Sequence, residues 1–306
     1  LLAFLHLKVL HFLPLVFLGI YSLIEKTKEK NLFINNIGAI PIIAFSILFI
    51  ATSHNLSLYM LLLILLPFFI LSSFLVKARK QFLIVSVISI ILGLALSSFY
   101  IIPAFSEMKY TNVASQVGGG ANFKDHFVCI NQYLNSMWGY GGSIQGCVDG
   151  LSFKFGTVNI ILLPIVLVLL VINLWKRKFG IQEKTVVISF VLLLISLFFT
   201  IQISETVWKV APFMQYLQYP WRFINFIALF ISFIVGYGIF FAGKKGKVVS
   251  LLVSAVTIVA IIATSLKVFV PQYYTFFESN YYTNKTYINY DVSKISDEYM
   301  PKGFLK

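Results

Sequence analysis

Arg222 lies in QYLQYPWRFINF (215–226), two residues after Pro220 and at the head of a long apolar run. Proline suits the first turn of a helix, because its missing N–H would have no partner there anyway. The unpaired N–H groups and dipole of a helix start attract anions, and a guanidinium adds a planar fork matched to phosphate oxygens. At roughly 100° per residue, Arg222, Asn225, Ala228, Ser232 and Gly236 share a helix face about 120° wide. Small residues at that spacing predict a face packed against other helices, which would turn Arg222 and Asn225 inward, away from lipid. The expected chemistry is phosphate recognition. The competing reading makes Trp221 and Arg222 an interfacial anchor with a snorkelling side chain.

Three other places carry polar chemistry. Ser53-His54-Asn55 interrupts two apolar runs, so His54 and Asn55 either reach a phosphate or sugar hydroxyl or simply cap a helix. MWGYGGSIQGCVDGLSFKFG (137–156) crowds six glycines, four aromatics, two serines and Asp149 into one stretch. Trp138 and Tyr140 offer apolar ring faces with polar edges, which suit sugar rings and bilayer interfaces equally. With Asp149 they are either sugar contacts or parts of an interfacial loop. Cys129 and Cys147, the only cysteines, share this region and are expected to form a disulfide in an oxidising compartment. With only His126 nearby they do not make a closed tetrahedral metal set.

The elements that must position these residues are apolar. Eight runs, 1–24, 32–53, 56–76, 82–105, 158–175, 185–204, 221–242 and 248–270, each approach the length that spans a ~30 Å hydrocarbon core as a helix. Basic clusters at Lys26/Lys28/Lys30, Lys77/Arg79/Lys80, Lys176/Arg177/Lys178/Lys184 and Lys244/Lys245/Lys247 occupy every second gap. The positive-inside rule then puts all four clusters in the cytoplasm and both chain ends outside. The expected fold is an all-α polytopic membrane protein. A helical bundle over 1–270 carries an outer insertion at 106–157, and an extracytoplasmic tail over 271–306 begins a further outer domain. The plasma membrane is the expected location.

Composition agrees, at 59% hydrophobic, 17% aromatic and 11% charged. The net charge of +13 is dominated by the topogenic clusters, which meet anionic lipid headgroups, and no nucleic-acid motif is present. Membrane lipids are therefore the expected partners, and nucleic acid is not. GGGANFK (118–124) lacks the Lys-Ser/Thr ending of a phosphate loop and reads as a glycine-rich connection. None of the eight predicted spans contains Asp or Glu, which argues against an ion-coupled carrier. The chain opens on Leu1 inside an apolar run and stops within a polar stretch, and so reads as an excerpt of a longer protein. His6, Lys8 and His11 make the first run a poor signal peptide.

Five segments in order, SHNLSLYMLLLILLPFF (53–69), FYIIPAF (99–105), WGYGGS…DGLSFKFG (138–156), LQYPWRF (217–223) and DEYMP (297–301), resemble the bacterial and archaeal membrane family filed under "6-pyruvoyl-tetrahydropterin synthase-related domain". That family resembles the GT-C superfamily of membrane glycosyltransferases. A literal pterin synthase would need a soluble three-His zinc site, which His6 and His11 in an apolar span do not provide. The GT-C resemblance implies a bundle that takes a polyprenyl-phosphate-linked sugar from the bilayer and transfers the sugar outside. It needs no organic cofactor and is compatible with a divalent cation. A carboxylate base would activate the acceptor, and cationic groups such as Arg222, assisted by His54 and Asn55, would stabilise the departing phosphate. The superfamily's catalytic acid lies in its first outer loop, and the chain starts downstream of that loop, so the catalytic residue is expected upstream of Leu1. The alternatives are a non-catalytic lipid-glycan binder or flippase, and a cell-envelope assembly protein.

Overall fold

The computed structural model describes residues 2–25, 38–113, 122–137, 139, 142–148, 150–176, 180–266, 270, 276, 278, 280, 283–288 and 301–303, without the side chains of 2–10 and 212. Among the described residues eight long helices carry the architecture: α1 (Leu2–Glu25), α2 (Ala39–Ser53), α3 (Asn55–Ser73), α4 (Arg79–Leu96), α5 (Thr157–Trp175), α6 (Ile181–Thr200), α7 (Ile224–Gly243) and α8 (Lys247–Ser265). Six described helices, α3 to α6, Pro220–Gly243 and α8, are long and apolar enough to cross a membrane. The described parts His11–Glu25 and Ala39–Ser53 are apolar but shorter. Residues 32–37 of the second predicted span lie outside the described residues. The chain is an all-α, multi-pass membrane protein, and among the described residues an isolated bridge joins Thr111 and Pro301.

The chain divides into two compact units. The first comprises Leu1–Ile102, Thr157–Phe198 and Phe223–Ala260. Within it, α2 packs against α1 on one side and α4 on the other, while α7 packs against α5. Two glycines permit the close approaches. A Cβ on Gly93 would lie 2.6 Å from Ile47 Cβ and 2.7 Å from the Ala44 carbonyl, and one on Gly19 would lie 2.6 Å from Ile43 Cγ1. Leu13, Ile20, Ile43, Ile47, Leu61 and Phe226 fill the interior. Ile84, Ile88 and Ile91 of α4, with Ile161, Ile165 and Val168 of α5, point out of the unit. An outward face this apolar suits hydrocarbon, where helices satisfy their backbone groups internally.

Three expectations change. The face Ala228, Ser232 and Gly236 of α7 is exposed, while Phe226, Ile227, Phe230, Ile231, Ile234 and Val235 are buried. The bulky side supplies the dispersion contacts that small residues cannot, and it wins the packing within this chain. Residues 82–105 do not form one helix. The chain breaks at Ser97, whose Oγ donates to the carbonyls of Gly93 and Leu94 at 3.0 Å each, and restarts as Ser98–Glu107. A side-chain hydroxyl competing for helix carbonyls accounts for the local departure. Finally, α6 starts at Ile181, earlier than predicted, so an acidic residue does lie inside a helix. Buried Glu183 accepts from the Gly180 amide at 2.9 Å and the Tyr237 hydroxyl at 2.7 Å, with Lys244 Nζ at 3.7 Å. Its carboxylate caps the helix start, the place where an acid is favoured.

Candidate functional site

The second unit comprises Pro103–Gly156, Phe199–Arg222 and Ile261–Lys306. Its 122–156 loop is tied to the 199–222 segment by a few well-formed contacts. Asn122 accepts from the Lys124 amide at 3.2 Å and starts the short turn Phe123–Asp125. Phe123 stacks on buried Trp208 at 5.5 Å, and the Val128 amide donates to the Thr200 carbonyl at 2.8 Å. Tyr133 stacks on Phe155 at 4.4 Å, and its hydroxyl meets the Thr200 hydroxyl. Burial pushes the Tyr133 phenol up to about 12, with the Thr200 contact opposing that rise. Cys129 and Cys147 are joined by a disulfide across a Cα–Cα distance of 5.6 Å. Ser136 Oγ accepts from the Phe153 amide at 3.0 Å and donates to the Leu151 carbonyl at 3.1 Å, closing the returning arm of the loop.

These ties bring a polar cluster together. Ser143 Oγ lies 2.8 Å from His126 Nδ1 and accepts from Trp221 Nε1 at 2.9 Å. Trp221 Nε1 is an obligate donor, so the arrangement that satisfies most groups has the serine hydroxyl donating to Nδ1, with the proton of the imidazole on Nε2. His126 is only 7% exposed, and its Nε2 has no hydrogen-bond partner among the described residues. The Tyr219 ring meets the imidazole edge to face at 4.6 Å and lies 5.3 Å from Trp221, which in turn lies 6.1 Å from Phe153. The arrangement offers half-buried aromatic faces, a hydroxyl and an imidazole in one place.

Arg222 adjoins this cluster. Its guanidinium lies 4.8 Å over the Tyr219 ring, donates through Nη1 to the Leu217 carbonyl at 2.6 Å, and has Gln218 Oε1 at 3.4 Å. The residue sits in the 3-10 turn Pro220–Phe223, ahead of α7, so the α-helical spacing invoked for its face begins only at Ile224. Gln218, just upstream, has φ 63° and ψ −49°, and the Tyr219 amide returns to the Leu217 carbonyl at 2.6 Å. This is the γ-turn with positive φ, a rare and strained conformation for a side-chain-bearing residue. Strain of this kind persists only where surrounding contacts over-determine it, and the Arg222–Leu217 bond is one such contact.

The other candidates belong elsewhere. His54 is the start residue of α3: its Nδ1 accepts from the Ser57 amide at 3.1 Å and lies 2.9 Å from Ser57 Oγ. Asn55 Oδ1 accepts from the Leu56 amide at 2.8 Å, so both residues serve the helix start. Asn225 is half-buried in the first turn of α7. These three belong to the first unit, and Arg222 to the second. Trp138, Tyr140 and Asp149 lie outside the described residues. Among the described residues no three His, Cys, Asp or Glu side chains gather as a metal site. Nothing in the sequence singled out His126 with Ser143, because they are 17 positions apart and join only through the folded loop. No family model, no curated protein and no solved structure matches the chain.

Proposed function

We propose that this chain is the membrane core of a GT-C-like glycosyltransferase that handles a polyprenyl-phosphate-linked sugar on the extracytoplasmic side of the plasma membrane. The observation that carries this reading is the convergence of Trp221, Tyr219, His126 and Ser143 beside Arg222. Aromatic faces stack on the C–H surfaces of a sugar ring, a hydroxyl and an imidazole exchange hydrogen bonds with sugar hydroxyls, and a guanidinium holds phosphate. In the proposed topology eight helices span the bilayer, the four basic clusters are cytoplasmic, and the 106–157 loop and 271–306 tail are outside. The Cys129–Cys147 disulfide supports an oxidising location for that loop.

The role of Arg222 is testable by binding. Removing a charged hydrogen-bonding partner typically costs about 1.5–3 kcal/mol, roughly 10- to 150-fold in affinity. Arg222→Ala should lose polyprenyl-phosphate-sugar binding by that margin, and Arg222→Lys by less, since charge remains while the fork is lost. Trp221→Ala should weaken the sugar-bearing lipid more than polyprenyl phosphate alone. Unchanged binding by Arg222→Ala, alongside loss of stability in Trp221→Ala, makes the segment an interfacial anchor and removes the basis for this reading. Binding without sugar transfer by the full open reading frame identifies a non-catalytic lipid-glycan binder instead.

A further inference from the structure

Residues 201–219 join α6 to the turn Pro220–Phe223 that leads into α7, and the exposed side chains of 203–216 sort by chemistry. Trp208, Ser204 and Leu217 are completely buried, and Met214 is buried. Trp208 stacks on Phe123 and donates from Nε1 to the Phe199 carbonyl at 3.2 Å, which fixes the rotation of the short helix Glu205–Val210. At about 100° per residue, the exposed residues Val207 and Val210 then fall within about 60° of one another on one flank, and exposed Ile203 precedes them in the 3-10 turn Gln202–Ser204. Glu205 and Lys209, which pair at 2.7 Å, lie roughly 100–160° away from Val207 and Val210 on the other flank. The following 3-10 segment, Pro212–Leu217, repeats the sorting at three-residue spacing. Met214 and Leu217 are buried, while Phe213 and Tyr216 are exposed. Ile203 and Val210 are 76% and 77% exposed, far more than an aqueous loop needs from its apolar residues.

We infer that this segment lies in the membrane interface, with Ile203, Val207, Val210, Phe213 and Tyr216 entering the headgroup–acyl boundary and the Glu205–Lys209 pair facing water. Chain continuity selects a lipid surface as the occupant. Thr200 ends one apolar helix long enough to cross a bilayer and Pro220 starts the next. Ile203 and Tyr216 are three and four residues from those ends, within roughly 10–15 Å even if extended. An amphipathic element tethered there at both ends, with an apolar flank, a charged flank and a third face locked onto its own unit, meets the criteria for an in-plane interfacial element. The inference does not depend on any glycan substrate.

The test uses the whole chain in phospholipid vesicles. The native cysteines are paired, so single cysteines introduced at Val210, Phe213, Glu205 and Lys209 take a nitroxide label selectively. Labels at Val210 and Phe213 should show an oxygen-to-nickel-chelate accessibility ratio severalfold above those at Glu205 and Lys209. In the unsubstituted protein, a phospholipid with a photoactivatable acyl chain should leave adducts on the apolar flank of 203–216, as mapped by mass spectrometry. Equal ratios at all four positions would make this an aqueous loop. Labels at Val210 and Phe213 shielded from both reagents, or adducts absent from the flank, would mean that protein covers it. Each of these results overturns the inference.

Discussion

Arg222 reaches back five residues to Leu217, its Nη1 donating to a carbonyl oxygen that also accepts the Tyr219 amide, both at 2.6 Å. One oxygen thus holds both the strained turn at Gln218 and the guanidinium above Tyr219. The QYPWR stretch is therefore organised by its own backbone before any ligand is considered.

Gln218→Gly tests that strain. A non-glycine residue in such a conformation costs about 1–3 kcal/mol, while glycine adds roughly 0.4–1 kcal/mol of unfolded-state entropy. The expected net is stabilisation by about 1 kcal/mol, read as a higher unfolding temperature in detergent. A lower temperature for Gln218→Gly would show that the Gln218 side chain contributes more than its backbone costs.

The buried Tyr133 phenol gives a pH prediction with a definite sign. Its pKa is raised from 10.0 to about 12, so the neutral form is favoured in the folded state. The stability it contributes is complete below the unfolded value and is lost as pH rises through the folded value. Between pH 10 and about 12 the parent should therefore lose stability more steeply than Tyr133→Phe. Parallel curves for the two proteins would refute this assignment.

Peptide mapping without reduction should recover Cys129 linked to Cys147. Closing a loop of this length constrains the unfolded chain by about 3 kcal/mol in the chain-entropy model. The Cys129→Ser/Cys147→Ser double variant should accordingly expose Lys124 and Lys154 to faster tryptic cleavage. Alkylation of both thiols in freshly isolated, unreduced membranes would exclude the bridge in the cell.

Topology is read by labelling introduced cysteines one at a time in intact cells. Positions Ser143 and Asn284 should label from outside, and Gly180 and Gly246 only after permeabilisation. Labelling of Gly180→Cys from outside would sink the eight-span arrangement.

The sequence by itself determined what depends on local composition. Long apolar runs separated by charged gaps specify membrane helices, because a helix satisfies its own backbone and only side chains decide whether it enters hydrocarbon. The helix break beside Ser97 and the early start of α6 escaped that reasoning. A serine hydroxyl and a carboxylate cap act on individual carbonyls and amides, which hydropathy does not register.

Tertiary structure decided which faces and which distant residues meet. Small-residue spacing on α7 pointed to one face, but packing buried the Phe and Ile side, because contact area depends on the partner's shape as well as on periodicity. His54 caps the start of α3, its Nδ1 accepting from the Ser57 amide three residues on. The Ser143 hydroxyl meets His126 from 17 residues away and Trp221 from 78. No local pattern encodes those separations; they exist because a loop tied down through Phe123, Val128, Tyr133 and Phe155 folds back on the segment that carries Trp221.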